Sequence, residues 1–258
     1  MNSSESSPPT RRFAGFDIET LSLDLNAVVY QLGVATLDLP REFHTTTDHI
    51  YGMPLVTFLD QYVFTGITLY SVYVDILPQT LRFKHVDPGT LDFHRGVSER
   101  AQGRVQEEPE FISSYLGQGR SDHPTIALEL LQGWLSSPEE LWINHPSFDV
   151  PRTRLLAKDF QYPGDLWNYR SERDVATIKA SFKRLPFPGI YDTLVKVIDH
   201  VNGIQHKHQA QYDARYNLLW GVAGTAILNQ LAWSWSSSSN HSDTVGNMVS
   251  DLRKILDL

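Results

Sequence analysis

Residues 13–19, Phe-Ala-Gly-Phe-Asp-Ile-Glu, set two carboxylates into an otherwise apolar run. A short run of this kind predicts a buried strand. Side chains of a strand alternate between faces, so Asp17 and Glu19 share one face and converge on one point. A sheet that buries Phe13, Ala14, Phe16 and Ile18 must therefore leave an open place where two acids meet. Unrelieved, two such charges raise each other's pKa. A divalent cation relieves them, and Mg²⁺ favours carboxylate oxygen together with waters and phosphate. A solvated strand end also carries isolated Asp-x-Glu pairs; the apolar neighbours here favour burial.

The rest of the chain supplies the other layers. A second strand is predicted over 26–38, where Val28, Val29, Tyr30, Leu32, Val34 and Leu37 give apolar bulk, and a third over the alternating segment 69–77. Between them, residues 41–68 are too long for a hairpin turn and carry helix-like spacing around 56–63. Helices are expected over 90–105, over 125–136 with Ile126, Leu130, Leu131, Trp134 and Leu135 on one side, and from Ser147 as cap to about Lys158. Pro151 is placed in the first turn of that last helix, where proline is tolerated. Residues 117–122 read as a polar loop. A short strand is predicted at 141–144, and a helix from about Asp174 within 166–183. The strongest helix spans 210–231, with Ala214, Leu218, Val222 and Ala226 beside Leu219, Ala223 and Ile227. Residues 1–10 read as a disordered tail, 11–233 as one domain, 234–243 (SWSSSSNHSD) as a flexible linker and 244–258 as a short terminal helix. Early strands followed by alternating helices and strands predict an α/β fold with a central mixed β-sheet flanked by α-helices.

Composition narrows the chemistry. The chain has no cysteine, so any metal must sit on oxygen or imidazole. No apolar run reaches the ~20 residues of a membrane helix, and residues 1–10 lack the apolar stretch of a secretory signal. A cytoplasmic location is therefore expected, with no membrane partner. Net charge is −8. That argues against a protein that coats duplex DNA, but bound cations reverse the local sign at a metal-filled pocket that grips a few nucleotides.

Two more islands complete the picture. Asn144-His145-Pro146-Ser147-Phe148-Asp149 places Asp149 in the first turn of a helix, at the carboxyl end of a strand, where α/β sites form. His208-Gln-Ala-Gln-Tyr-Asp213-Ala214 holds a histidine and an aspartate five apart. On one continuous helix they diverge by about 140°. They converge when His208 lies in the preceding loop and Asp213 in the first turn, which suits a loop-borne general base beside a helix-borne metal ligand. Taken singly, each island is also explained by helix stabilisation or a surface histidine.

In this order the residues resemble the DEDDh branch of the DnaQ-like 3′–5′ exonucleases. Residues 90–102, TLDFHRGVSERAQ, are similar to the TLxWWxxQSxEAR helix of the phage exonuclease A and exodeoxyribonuclease VIII-like group. Leu166-Trp167-Asn168-Tyr169-Arg170 with Arg173-Asp174 resembles that group's FWN…RD segment. The likeness spans roughly residues 13–230, and departs from the group where Asp92-Phe93-His94 replaces paired tryptophans and at residues 41–68, which look like an insertion. It implies a ribonuclease H-like fold and two Mg²⁺ or Mn²⁺ ions on Asp17, Glu19, Asp149 and Asp213, with His208 as general base. The substrate implied is the 3′ end of single-stranded DNA, with RNA as the alternative, and the products are nucleoside 5′-monophosphates. Ile18 and Thr20 would meet the terminal nucleotide. Phe148 and Trp167 are candidates for stacking on bases or for core packing, and Arg173, with Arg152, Arg154, Arg170 and Lys207, for holding phosphates. The host cytoplasm would be the location of a phage-encoded member. An inactive nucleic-acid-binding module is the reading from another class.

Overall fold

The apolar run does form a strand, and it is the centre of the molecule. In the computed structural model, which describes residues 10–41, 55–82, 84–102, 120–187, 189–203, 208–237 and 241–256, β1 (Thr10–Thr20) pairs on both edges. On one side it runs antiparallel to β2 (Val29–Pro40), from Thr10↔Pro40 to Glu19↔Gln31. On the other it runs parallel to β4 (Glu140–Ile143). β3 (Thr68–Tyr73) adds antiparallel to β2, and β5 (Glu172–Asp174) parallel to β4, giving the order β3-β2-β1-β4-β5.

Alternation along β1 divides the core. Ala14, Phe16 and Ile18 face a cluster that includes Leu32, Val34, Leu141 and Ile143. Helices α4 (Pro124–Trp134) and α5 (Pro146–Asp159) supply Leu128, Leu131, Val150 and Leu156 to this side. Phe13 faces the opposite cluster, built by α6 (Val175–Lys183), α7 (Ile190–Asn202), α8 (Ala210–Ser237) and α9 (His241–Leu256). Helices thus cover both faces of a mixed sheet, the architecture implied by the resemblance. Among the described residues, no helix is long and apolar enough to cross a membrane.

Several local expectations change. The strand predicted over 69–77 ends at Tyr73, because the Asp75 carboxylate accepts from Leu77 N and starts the short α2 (Ile76–Thr80). Residues 26–28 lie outside β2: Asn26 ends a turn, Ala27 makes an isolated bridge to His85, and Val28 N–H donates to the His85 carbonyl. The spacing around 56–63 is helical: α1 (Leu55–Phe58) continues as a π-turn, Leu59–Phe64, and buries Leu55, Phe58, Leu59 and Val63. The rest of the suspected insertion, residues 42–54, lies outside the described residues, as do residues 1–9, 103–105 and 117–119. Helix α3 (Pro88–Gln102) begins two residues early, with Thr90 N–H held by the Asp87 carboxylate. The N-cap of α5 is His145 in the left-handed region (φ 59°), not Ser147, so Pro151 falls in the second turn. Helix α8 continues through Ser237, four residues into the stretch expected to be a flexible linker. Helix α9 then packs Val245, Met248, Leu252 and Ile255 into the core.

Candidate metal-binding active site

Asp17 and Glu19 project from β1 toward α8, and β2 prepares the ground for that helix. Gly33, the pairing partner of Asp17, lies directly beneath Ala210: a Cβ there would stand 2.0 Å from the Ala210 carbonyl carbon. Gly15 does the same for Ala214 O, also at 2.0 Å. Gln31, the partner of Glu19, is buried and turns its amide to the start of α8. Its Oε1 accepts from Ala210 N at 3.2 Å, and its Nε2 donates to Gln211 Oε1 at 3.0 Å. One of the helix's orphan N–H groups is thereby satisfied from the sheet.

The helix start in turn carries the third island. His208 sits before α8 in the left-handed region (φ 65°), and its N–H donates to Asp213 Oδ2 at 2.9 Å. The loop-then-helix arrangement that makes the pair converge is therefore present. One turn further, Asn217 is buried; its Nδ2 donates to the Phe16 carbonyl at 3.0 Å, and its side chain also hydrogen-bonds Asp17. Across the sheet edge, β4 delivers the chain to α5 and Asp149. The Asp149 carbonyl accepts from Thr153 Oγ1 at 2.8 Å.

The result is a single cleft of about 340 Å³ lined by Asp17, Glu19, Asp149, His208 and Asp213, with Ile18, Asn144, His145 and Phe148. All five acid-base residues expected from the sequence meet there. Ligand atoms of Glu19, His208 and Asp213 lie within 4.8 Å of one another. The electrostatics follow from crowding. Burial, then the charges of Asp149, Asp213 and Glu19, hold the Asp17 carboxyl well above the usual carboxylate range, with the Asn217 bond opposing. Burial, then Asp213 and Asp149, raise Glu19 likewise. Burial also raises Asp149, with Arg152 pulling the other way. Four carboxylates that repel one another in a partly desolvated cleft are a hard-oxygen donor set suited to Mg²⁺ or Mn²⁺. On this donor chemistry, the residues fit a divalent-cation centre.

A second pocket, about 420 Å³, adjoins the first through Ile18, Glu19 and Phe148, and is completed by Thr20, Leu23, Asp87, Gly89, Thr90, Phe93 and His94. Ile18, Thr20 and Phe148, the residues expected at the terminal nucleotide, all line this pocket. Thr20 Oγ1 donates to Ser22 O at 2.8 Å. Trp167 does not reach either pocket. It is buried against Phe16, with ring centroids 5.3 Å apart, and its Nε1–H donates to Glu172 Oε1 at 2.8 Å. That contact is the core packing named as one of its two roles, and Trp167 also lines a larger groove. Arg173 is likewise away from the cleft, donating to the carbonyls of Arg170 and Glu172. Arg154 pairs with Glu172 at 2.7 Å, and Arg152 is buried. Lys207 lies outside the described residues. A larger groove of about 1060 Å³, between α4, α5 and residues 162–169, contains none of the five motif residues.

Sequence reasoning missed Gln31, Gly33, His94 and Asn217. Glycines inside β-runs and an amide at i+4 from Asp213 were the available signals. His94 is buried, with Nε2 donating to Thr20 O at 3.0 Å and Nδ1 3.2 Å from the Tyr30 hydroxyl. Burial, opposed by the Thr20 carbonyl and helped by His208, lowers its pKa to about 4. Its neighbour Phe93 meets the His208 ring edge-on, with centroids 5.1 Å apart. Phe93 and His94 thus bring ring contacts to the site.

No protein-family model matches the chain, and no curated protein does. Among solved structures it is similar to the product-bound structure of exonuclease I, with 11% sequence identity and a TM-score of 0.48. The match covers 92% of this chain and 48% of that one, so the chain spans about half the length of that protein.

Proposed function

We propose that the chain is a divalent-metal-dependent 3′–5′ exonuclease that hydrolyses single-stranded DNA and releases nucleoside 5′-monophosphates. The observation that carries this reading is the convergence of Asp17, Glu19, Asp149 and Asp213, with His208 at their side, in one cleft. The four carboxylates would hold two Mg²⁺ or Mn²⁺ ions, as in the pattern their order resembles. Bound there, such ions supply Lewis-acid stabilisation of a phosphodiester and make water a better nucleophile. The chain's own residues do the rest. His208 is exposed at the cleft, with its backbone fixed by Asp213, and accepts the proton of the attacking water. Ile18 and Phe148 give the apolar wall against which a terminal nucleoside packs, and Thr20 lies at the rim of the adjoining pocket.

The test is a denaturing gel with 5′-labelled and 3′-labelled oligodeoxynucleotides and matched RNA, in Mg²⁺, Mn²⁺ or EDTA. A metal-dependent ladder from the 5′ label, immediate release of the 3′ label and loss of both in Asp17→Ala are expected. A ladder on RNA alone would move the substrate to RNA. Intact strands of both kinds would refute the hydrolase and leave a binding module.

A further inference from the structure

Arg152 belongs to neither pocket, yet it touches the walls of both. Its side chain is buried one turn beyond Phe148 on α5, with a relative exposure of 6%. The guanidinium lies over the Phe148 ring, 3.5 Å from the centroid. Nη1 donates to the Phe148 carbonyl at 2.8 Å, Nε to the Asp24 carbonyl at 2.9 Å, and Nη2 to the Leu23 carbonyl. Three of the five guanidinium N–H donors thus go to protein carbonyls, and the plane lies over one ring.

Phe148 lines both the carboxylate cleft and its neighbour, and Leu23 lines the neighbour. Leu23 is 76% exposed, so its own side chain contributes little burial to hold it in place. The loop that carries it is tied from within by Asp24 N–H to Ser22 Oγ and by the Asp24–His85 contact, and Arg152 adds an anchor from α5. Burying a cation is expensive unless its donors are met and its geometry is good. An aliphatic side chain would fill the same space without that penalty, but could not fix two carbonyls of another segment while lying flat on an aromatic face.

We propose that Arg152 is a positioning residue that locks Phe148 and the Leu23–Asp24 turn into one rigid wall, so that the pocket beside the carboxylates is formed before substrate arrives. The assignment rests on the nuclease reading for its substrate. It acts on binding rather than on the chemical step, since its hydrogen bonds go to backbone carbonyls and not to the cleft carboxylates.

The experiment compares Arg152→Lys and Arg152→Met with wild type in the full chain, using a 5′-labelled oligothymidylate. Loss of uniform binding raises KM without lowering kcat, and about a tenfold rise in KM is expected, with kcat within about twofold. Mn²⁺ affinity, read by calorimetry, stays near the wild-type value in Arg152→Lys, which keeps the positive charge that acts on Asp149. Lysine does not rescue, because an ammonium group cannot serve three carbonyls and stack. An unchanged KM in a folded variant, or full rescue by lysine, overturns the assignment. Hydrogen exchange of wild type supplies a test independent of variant folding. Amides of residues 22–26 keep the same protection with and without oligothymidylate, and protection gained on binding overturns the preformed wall. A wild type inactive on both DNA and RNA overturns the nuclease reading and this one with it, whereas an active wild type with unmoved KM in the variants overturns this one alone.

Discussion

Replacing Gly33 with alanine puts one methyl group where α8 meets the sheet. The new Cβ would stand 2.0 Å from the Ala210 carbonyl carbon and 2.3 Å from both the Ala210 oxygen and the Gln211 nitrogen. Ordinary contact begins at 3.4 Å, so a gap of 3.4 − 2.0 = 1.4 Å must open. All three obstacles are backbone atoms, which no rotamer change can move aside. The start of α8 must therefore lift from β2, carrying Asp213 in its first turn and straining the His208 N–H bond to it. Metal sites tolerate only about ±0.2 Å in ligand distance, and misplacement of about 1 Å can lower turnover ~10²-fold. We expect Gly33→Ala to lose about 1–3 kcal/mol of stability, at least about tenfold in Mn²⁺ affinity and ~10²-fold in kcat/KM. Gly133→Ala is the control. It lies in α4 with nothing within 4 Å of a new Cβ, so it should gain about 0.5–1 kcal/mol and keep its activity. Thermal melts in EDTA, Mn²⁺ calorimetry and single-turnover hydrolysis read the three quantities. Wild-type Mn²⁺ affinity in a folded Gly33→Ala would refute the argument that the glycine sets the ligand geometry.

Asp17→Asn removes one of the crowded charges, so it should raise the melting temperature in EDTA at pH 8 while abolishing turnover; a lower melting temperature would contradict the repulsion inferred among the acids. The raised carboxylates of Asp17, Glu19 and Asp149 favour the protonated folded state, so their contribution to metal-free stability is present in the ordinary carboxylate range and lost as pH rises through their raised values. Metal competes with those protons, and the melting-temperature gain from Mg²⁺ should therefore grow from pH 6 to pH 8, which a constant gain would disprove. His94 has the opposite sign: its pKa falls from 6.5 to about 4 in the fold, so its contribution is present above 6.5 and lost as pH drops toward 4. His94→Gln should flatten the acid limb of a stability–pH curve, worth up to about 3 kcal/mol in wild type. His208→Ala should slow hydrolysis by ~10²–10⁴-fold and leave Mn²⁺ binding largely intact, whereas turnover near wild type would remove it as the base.

The acids were legible because each lies at a place defined by local periodicity. Asp17 and Glu19 follow from the two-residue repeat of a strand, and Asp149 from the turn between a strand and a helix. The His208–Asp213 spacing makes sense only across a helix start. What escaped notice depends on tertiary contact. Trp167 and Phe148 are both aromatic residues near islands of interest, yet one pairs its indole with Glu172 inside the core and the other faces the cleft. Arg152 and Arg173 read as phosphate clamps because an arginine shows its charge in the sequence but not the carbonyls it will meet. Strand β5 is three residues long and exists only because β4 is beside it. The serine-rich start of the expected linker stays helical as a continuation of the strongest helix in the chain. Gln31 and Gly33 sit on a strand that bears none of the site's acids, so only the glycine inside a β-run offered a mark and Gln31 had none.

That last strand couples the site to the history of the chain's folding. The cleft draws on β1, on α5 some 130 residues later, and on α8 later still; the Asn217–Phe16 bond alone spans 201 positions. Such separations make assembly slow and late, since long loops must close before any contact rewards them. A nascent or partly folded chain therefore carries the four acids as scattered, solvated carboxylates with no shared field and no grip on a cation. Only when α8 seats on Gly15, Gly33 and Gln31 does the centre come into being. On the proposed function, activity would thus report that folding is complete, and a misfolded copy would be disarmed by the same geometry that arms the native one.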